Sequence, residues 1–130
     1  MQPILIISDF LGDSAAAIVD AAVSQFELDE VLIERLPGAT TINAIESFVA
    51  DAQLIHPEEA LVVFFTIANP DLCMETKKLL NKMSITYVDV LGPAINAIAR
   101  ASNLVPLSQP ELIHKTSKEY YQRLEAIEFA

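Results

Sequence analysis

The stretch ILIISDFLGDSAAAIVDAA, residues 4–22, sets the pattern for the whole chain. Its first part is a continuous run of β-favouring apolar residues, which is typical of a strand buried on both faces of a parallel sheet. A turn with Gly12 follows, and then small and apolar residues recur at helical spacing. We expect Asp13 or Ser14 to cap this helix through a side-chain oxygen. The stretch therefore predicts a strand that enters a helix through a short polar turn.

This strand-and-helix unit recurs three more times along the chain. Further strands are predicted over 31–36, 60–68 and 85–91. The predicted helix starts are Thr41, Asn69 and Gly92, and a last helix is predicted over 116–130. Because alternating strands and helices form parallel sheets with right-handed crossovers, we expect an α/β fold. It should be a three-layer, Rossmann-like or flavodoxin-like domain of about four parallel strands, with helices on both faces and a C-terminal helix.

Apolar residues at helical spacing are expected to face the core. On the first helix these are Ala15, Ile18, Val19, Ala22, Val23 and Phe26. On the second and third they are Ile42, Ile45, Phe48, Val49, Ala52, Leu72, Thr76, Leu79, Leu80 and Met83. On the fourth they are Ile95, Ile98 and Ala99.

Composition excludes several classes of protein. The net charge is -10, from 18 acidic and 8 basic residues, so a basic face for nucleic acid is not expected. The apolar runs are too short to span a bilayer, and the N-terminus resembles a strand rather than a leader. One cysteine, Cys73, rules out an internal disulfide and fits a reducing compartment. We therefore expect a cytoplasmic protein that binds neither nucleic acid nor membrane.

The glycine count excludes the common nucleotide-binding loops from this chain. The 3 glycines, Gly12, Gly38 and Gly92, are followed by Asp13, Ala39 and Pro93, which fits neither Gly-Lys-Ser/Thr nor GxGxxG. The turn over 8–14 could still hold an anion through the N–H groups of a helix N-terminus. The favoured interpretation is that Gly12 only permits the turn.

Other candidate catalytic groups stand alone in the sequence. A Cys-x5-Arg phosphatase motif would need arginine at position 79, which is Leu79, so Cys73 is expected to be a packed residue. His56 and His114 lie outside any cluster with metal-ligand spacing, and no metal site is expected. Asp9 lacks the acidic neighbours of a phosphoacceptor, and a capping or solvated role is favoured.

Polar side chains follow three of the predicted strands. They are Asp9, Thr66, Asn69 and Asp89. Because open parallel sheets bind ligands at the carboxyl ends of their strands, this edge is the expected location of a site.

Three segments of the chain are similar to those of one known family. ISDFLGDSA with AAVSQF near the start, YVDVLGP at 87–93 and RLEAIEFA at the end have the order and spacing found in the N-terminal part of the pyruvate, phosphate dikinase regulatory proteins. These are also called phosphoenolpyruvate synthase regulatory proteins. The resemblance implies an ADP-dependent Ser/Thr kinase that is also a phosphate-dependent pyrophosphorylase. It implies that the target is the dikinase or the synthase, modified on a threonine next to its catalytic phosphohistidine.

The resemblance also implies that nucleotide binding belongs to a different domain of the whole protein. In this family the nucleotide loop lies C-terminal to the matched part, which agrees with the glycine count. We therefore expect residues 1–130 to be a single domain, with a core over 1–111 and a helix over 112–130 leading to a nucleotide-binding domain absent from this chain. ADP and phosphate would be cofactors of the whole protein, with no cofactor bound and no activity in this chain alone. A homo-oligomer is also expected.

One departure from the family pattern lies in the first turn. The family usually reads Ser-Asp-Ser-Thr-Gly-Glu-Thr, whereas this chain has Phe10 and Leu11 in place of two hydroxyl residues. The candidate ligand or partner contacts are Asp9, Gly12, Ser14, Asp89 and Arg123. The competing interpretation is a stand-alone, non-catalytic α/β domain that binds a ligand or another protein.

Overall fold

A computed structural model of the protein describes residues 1–110. Four strands alternate with four helices in this range. They are β1 (Gln2–Ser8), α1 (Asp13–Val23), β2 (Val31–Leu36), α2 (Ile42–Ile55), β3 (Val62–Thr66), α3 (Pro70–Lys82), β4 (Thr86–Asp89) and α4 (Gly92–Ser102). The predicted helix over 116–130 and the candidate Arg123 lie outside the described residues. Within residues 1–110, no helix is long and apolar enough to cross a membrane.

The four strands form one sheet in the order β2-β1-β3-β4, and every neighbouring pair is parallel. Leu5 of β1 lies opposite Glu34 of β2 on one side and opposite Val63 of β3 on the other. After β1 the chain crosses to β2, and after β3 it crosses in the other direction to β4. The carboxyl ends of β1 and β3 therefore form the topological switch point at which such sheets bind ligands.

Helices cover the sheet on both faces, which confirms the predicted three-layer α/β fold. On one face, Ile45 and Val49 of α2 and Leu80 of α3 pack on Val63 and Phe65 of β3. On the other face, Ala15 and Val19 of α1 pack on Ile4 and Ile6 of β1. The first of these clusters is much larger, because two helices contribute to it.

The predicted buried faces are confirmed for α2 and α3 and are partly wrong for α1 and α4. Ile18 and Phe26 are 48% and 68% exposed, and Ile98 is 69% exposed. Helix α1 contacts the sheet through Ala15 and Val19, with Ala16 and Val23 packed beside them, and Phe26 lies beyond the end of the helix at Val23. In α4 no residue is buried.

Two of the three predicted helix caps are confirmed. The Thr41 hydroxyl accepts the N–H of Ala44, and the Asn69 side chain accepts those of Asp71 and Leu72. The predicted capping of α1 by Asp13 or Ser14 is wrong, because Gly12 occupies the N-cap position at φ 85°. Its carbonyl accepts the N–H of Ala16 at 2.9 Å.

Candidate functional site

A cavity of about 510 Å³ lies at the switch point, between the carboxyl ends of β1 and β3. We name it the switch-point cavity. It is lined by Asp9, Ala39, Thr40, Thr41, Ile42, Asn69, Asp71, Leu72, Glu75, Ser108 and Pro110. Its walls come from the turn after β1 and from the first turns of α2 and α3, which face each other because both helices lie on the same face of the sheet.

Asp9 joins the two strands that form the switch point. Its carboxylate Oδ2 accepts the backbone N–H of Ala68 at 2.8 Å, and its own N–H donates to the carbonyl of Thr66 at 3.2 Å. The residue is only 9% exposed. Of the two roles expected for Asp9, capping or solvated, the solvated one does not fit this burial; the carboxylate binds a backbone N–H and so joins the end of β1 to the segment after β3.

Three of the N–H donors around the switch-point cavity are bound by the chain's own side chains. The Asn69 amide oxygen accepts from Asp71 and Leu72 at 2.9 and 3.0 Å, and the Thr41 hydroxyl accepts from Ala44 at 3.3 Å. Phosphate sites at helix N-termini need such donors to be free. The described lining residues include three carboxylates, of Asp9, Asp71 and Glu75, and no lysine or arginine. The cavity is thus poorly suited to a phosphate group.

The turn over 8–14 is held by hydrogen bonds within the chain. The Ser8 side-chain hydroxyl accepts the N–H of Phe10 at 3.0 Å, and the carbonyl of Phe10 accepts the N–H of Gly38 at 2.8 Å. Gly12 is buried, and a Cβ there would lie 3.3 Å from Ile6 Cγ2. Gly12 and Ser14 are therefore not brought together with Asp9 in the described lining of the switch-point cavity.

A second cavity, of about 440 Å³, lies between the ends of β3 and β4. The Asp89 side chain at its base is 8% exposed and accepts three hydrogen bonds. They come from Gly92 N at 2.8 Å, Lys77 Nζ at 3.0 Å and Cys73 Sγ at 3.5 Å. The hydrogen bond to Asp89 raises the pKa of Lys77 above its usual value. Asp89 thus joins β4, α3 and the start of α4.

Cys73 is a packed thiol rather than a reactive one. Its burial and the nearby Asp89 carboxylate raise the pKa of the Cys73 thiol from 9.0 to about 11. Because the thiolate is the nucleophile, a raised pKa suppresses reactivity at neutral pH. The prediction of a small packed residue is confirmed. Sequence reasoning missed Lys77, although its four-residue spacing from Cys73 on α3 was a signal that both face the same way.

Two of the predicted site residues therefore line neighbouring cavities. Asp9 lines the switch-point cavity and Asp89 lines the second cavity, and Ser108 lines both. Within residues 1–110 there is no group of three side chains that could hold a metal ion. His56 lies at the opposite end of the sheet, with Nδ1 3.5 Å from Glu59. His114 lies outside the described range.

Comparison with known proteins places this geometry in a family. The family model described as kinase/pyrophosphorylase matches residues 4–130. The chain belongs to the kinase/pyrophosphorylase family. Since the match covers nearly the whole chain, both cavities lie within the family's shared region.

Several curated members of the kinase/pyrophosphorylase family are similar to this chain. A protein of Oceanobacillus iheyensis named pyruvate, phosphate dikinase regulatory protein is 32% identical over 130 residues, which are 99% of this chain and 46% of the relative. A protein of the same name from Carboxydothermus hydrogenoformans is 31% identical over 127 residues, 98% of this chain and 44% of the relative. One from Pediococcus pentosaceus is 34% identical over 127 residues. The chain spans about half the length of the curated relatives it matches.

Proposed function

We propose that the whole protein is a regulatory kinase and pyrophosphorylase acting on pyruvate, phosphate dikinase or phosphoenolpyruvate synthase in the cytoplasm. In this proposal the kinase reaction transfers the β-phosphoryl group of ADP to the target threonine and releases AMP. The second reaction transfers the phosphoryl group from that threonine to inorganic phosphate, which frees the threonine and releases pyrophosphate. The observation that carries the proposal is the family match over residues 4–130, together with relatives named for the dikinase.

Within that protein, we assign the described domain a docking role rather than a catalytic one. The 130 residues contain no Gly-Lys-Ser/Thr loop. Three of the helix N–H donors at the switch point are bound by Thr41 and Asn69, and the described cavity lining carries three carboxylates and no basic residue. The switch-point cavity remains open, with the exposed carboxylates of Asp71 and Glu75 on its wall. The domain would present this cavity to the target enzyme while the nucleotide is bound elsewhere.

The test uses the 130-residue chain with purified dikinase and, separately, purified synthase. We expect the chain to bind one of them saturably in calorimetry, to show no micromolar affinity for ADP, and to transfer no phosphoryl group from ADP. Micromolar ADP binding by the chain alone would overturn the assignment. Absence of binding to both enzymes would overturn the docking role.

A pair of matched variants locates the contact. Asp71→Asn with Glu75→Gln removes two carboxylates from the cavity wall and should weaken target binding about tenfold or more. Asp20→Asn with Glu46→Gln removes two exposed carboxylates that do not line the cavity and should change affinity by less than about twofold. Equal effects of the two pairs would mean that only net charge matters and that the cavity is not the docking site.

The alternative function is a stand-alone domain that binds another protein without any kinase partner domain. The absence of a phosphate loop from the 130 residues fits this alternative equally well. Phosphorylation of the dikinase by the protein expressed from its native gene distinguishes the two. The same preparation, measured by sedimentation, tests the accompanying proposal of a homo-oligomer.

A further inference from the structure

An apolar groove lies far from both cavities of the candidate site. We name it the amino-end groove, because it lies where β1 and β3 begin, on the α1 face of the sheet. Its volume is about 280 Å³, and it is lined by Gln2, Ile4, Ala22, Val23, Phe26, Leu28, Val62 and Phe64. Gln2 is the only polar residue among these lining residues. The proposed kinase function makes no use of this groove.

The groove exposes Phe26, which the sequence pattern assigns to the core, together with Leu28. Phe26 is 68% exposed and Leu28 is 43% exposed, and both stand beside the half-buried Phe64 of β3. Single exposed apolar residues are ordinary, but several around one concave surface mark an interaction site. The described residues leave this site open, so an occupant would complete the layer that α1 begins.

The base and one wall of the groove are formed by regular elements. Its base is formed by the adjacent strands β1 and β3, and one wall is the C-terminal end of α1, with Ala22 and Val23. A helix that packs beside α1 in this position would place apolar side chains at three- and four-residue spacing on Ile4, Val62 and Phe64. Grooves of this kind bind amphipathic helices through such anchors.

The rim of the groove is acidic. Glu27, Asp29 and Glu30 are exposed and flank Leu28 in the chain, and the carbonyl of Glu30 accepts the N–H of Gln2 at 2.9 Å, which holds this loop beside the groove. The sequence contains no lysine or arginine before Arg35. An occupant with basic residues flanking its apolar face would therefore match the rim in charge.

A second copy of the chain fits this rim poorly. In a two-fold symmetric contact the same patch meets itself, so acidic rims would face each other on chains that each carry a net charge of -10. Anionic membrane surfaces are repelled for the same reason. We propose that the amino-end groove binds an amphipathic helix of another protein, with aliphatic or aromatic anchors and with lysine or arginine on its flanks.

The experiment titrates the 130-residue chain with a designed helical peptide that carries leucine at i, i+3 and i+7 and lysine on both flanks. The matched control peptide has glutamate in place of lysine. We expect saturable binding of the lysine peptide by fluorescence anisotropy, at least about tenfold tighter than that of the glutamate peptide and weakened by salt. Binding of neither peptide would overturn the proposal, as would equal binding of both.

Variants locate the peptide on the chain. Phe26→Ala alters an exposed side chain of the groove, so it should leave folding intact and weaken binding about tenfold or more. Leu54→Ala alters a side chain that is 79% exposed and does not line the groove, and it should change affinity by less than about twofold. Equal losses in both variants would overturn the assignment. So would a chain that self-associates through Phe26 and excludes the peptide.

Discussion

The carboxylate of Asp9 accepts the backbone N–H of Ala68, 59 residues further along the chain, at 2.8 Å. This bond joins β1 to the segment after β3 at the switch point, where the order of successive strands in the sheet reverses. The burial of the Asp9 carboxylate is therefore explained by a structural role, without a catalytic one. A carboxylate in this position also keeps the ends of β1 and β3 close together at the base of the switch-point cavity.

Replacing Asp9 should cost stability. Asp9→Ala leaves the N–H of Ala68 without its acceptor in a largely buried place, so we expect a loss of about 1–3 kcal/mol in the free energy of unfolding. Asp9→Asn keeps an acceptor oxygen and should lose less. Urea denaturation measures both, with Asp20→Ala on the exposed side of α1 as the control. An Asp9→Ala variant as stable as the control would contradict the structural role.

Gly12 and Gly38 both have positive φ, so alanine substitutions at the two positions distinguish the cost of backbone strain from that of steric crowding. Gly38 has φ 62° and no atom within 4 Å of a Cβ placed there, so Gly38→Ala should cost only the left-handed backbone penalty of about 1–2 kcal/mol. Gly12 has φ 85°, and its Cβ would also meet Ile6 Cγ2 at 3.3 Å. Gly12→Ala should therefore be the more destabilising in thermal unfolding. The reverse order would show that the Ile6 side chain moves freely.

Asp89 and Gly92 should be energetically coupled. A Cβ on Gly92 would overlap the Asp89 carboxylate, with Asp89 Cγ only 2.8 Å away, so Gly92→Ala should destabilise the fold by about 1–3 kcal/mol. In an Asp89→Ala background the overlap is gone and the same change should cost much less. A double-mutant cycle in urea should give a coupling energy of about 0.5–3 kcal/mol. Additive losses would contradict this packing.

Alkylation of Cys73 should depend steeply on pH. With a pKa of about 11, the thiolate fraction at pH 8 is about one in a thousand, so the iodoacetamide rate should rise about tenfold per pH unit and level off near pH 11. Asp89→Asn removes the carboxylate that repels the thiolate, so the profile should move to lower pH. An alkylation rate that levels off near pH 9 in the native chain would contradict the raised pKa of a thiol that is partly buried next to Asp89.

The same pKa shift has a defined sign for stability. The pKa of Cys73 is raised by folding from 9.0 to about 11, so the folded state holds the proton more tightly. The contribution of this group is fully present below pH 9 and is lost as the pH rises towards 11. The free energies of unfolding of the Cys73→Ala and native chains should therefore differ in their pH dependence only above about pH 9. Parallel profiles across that range would contradict the shift.

The local features of the fold could be predicted from the sequence. The apolar run over 3–8 predicted a buried strand of the sheet, and Thr41 and Asn69 predicted helix starts, because each signal involves neighbouring residues. The exposure of Ile18 and Ile98 could not be predicted, because periodicity shows that a helix has an apolar face but not how much of it the sheet covers. The cap of α1 was missed because glycine at an N-cap gives no side-chain signal.

The positions of Asp9 and Asp89 in the fold could be predicted from the sequence, but their contacts could not. The rule for parallel sheets placed Asp9 and Asp89 at the correct edge. Their partners are distant in sequence: Ala68 for Asp9, and Lys77 on another element for Asp89. No pattern within one segment encodes such pairs. The assignment of both carboxylates to structural bonds required the three-dimensional arrangement.

The central position of β1 has a consequence for how the chain emerges from the ribosome. Its neighbours are β2 and β3, so the bonds on one of its edges cannot form until Thr66 has left the exit tunnel. At about 5–20 residues per second, the apolar segment of β1 waits several seconds with that edge unpaired. During this interval the unpaired edge of an apolar strand is exposed to wrong pairing and aggregation, and synthesis of β3 ends that exposure.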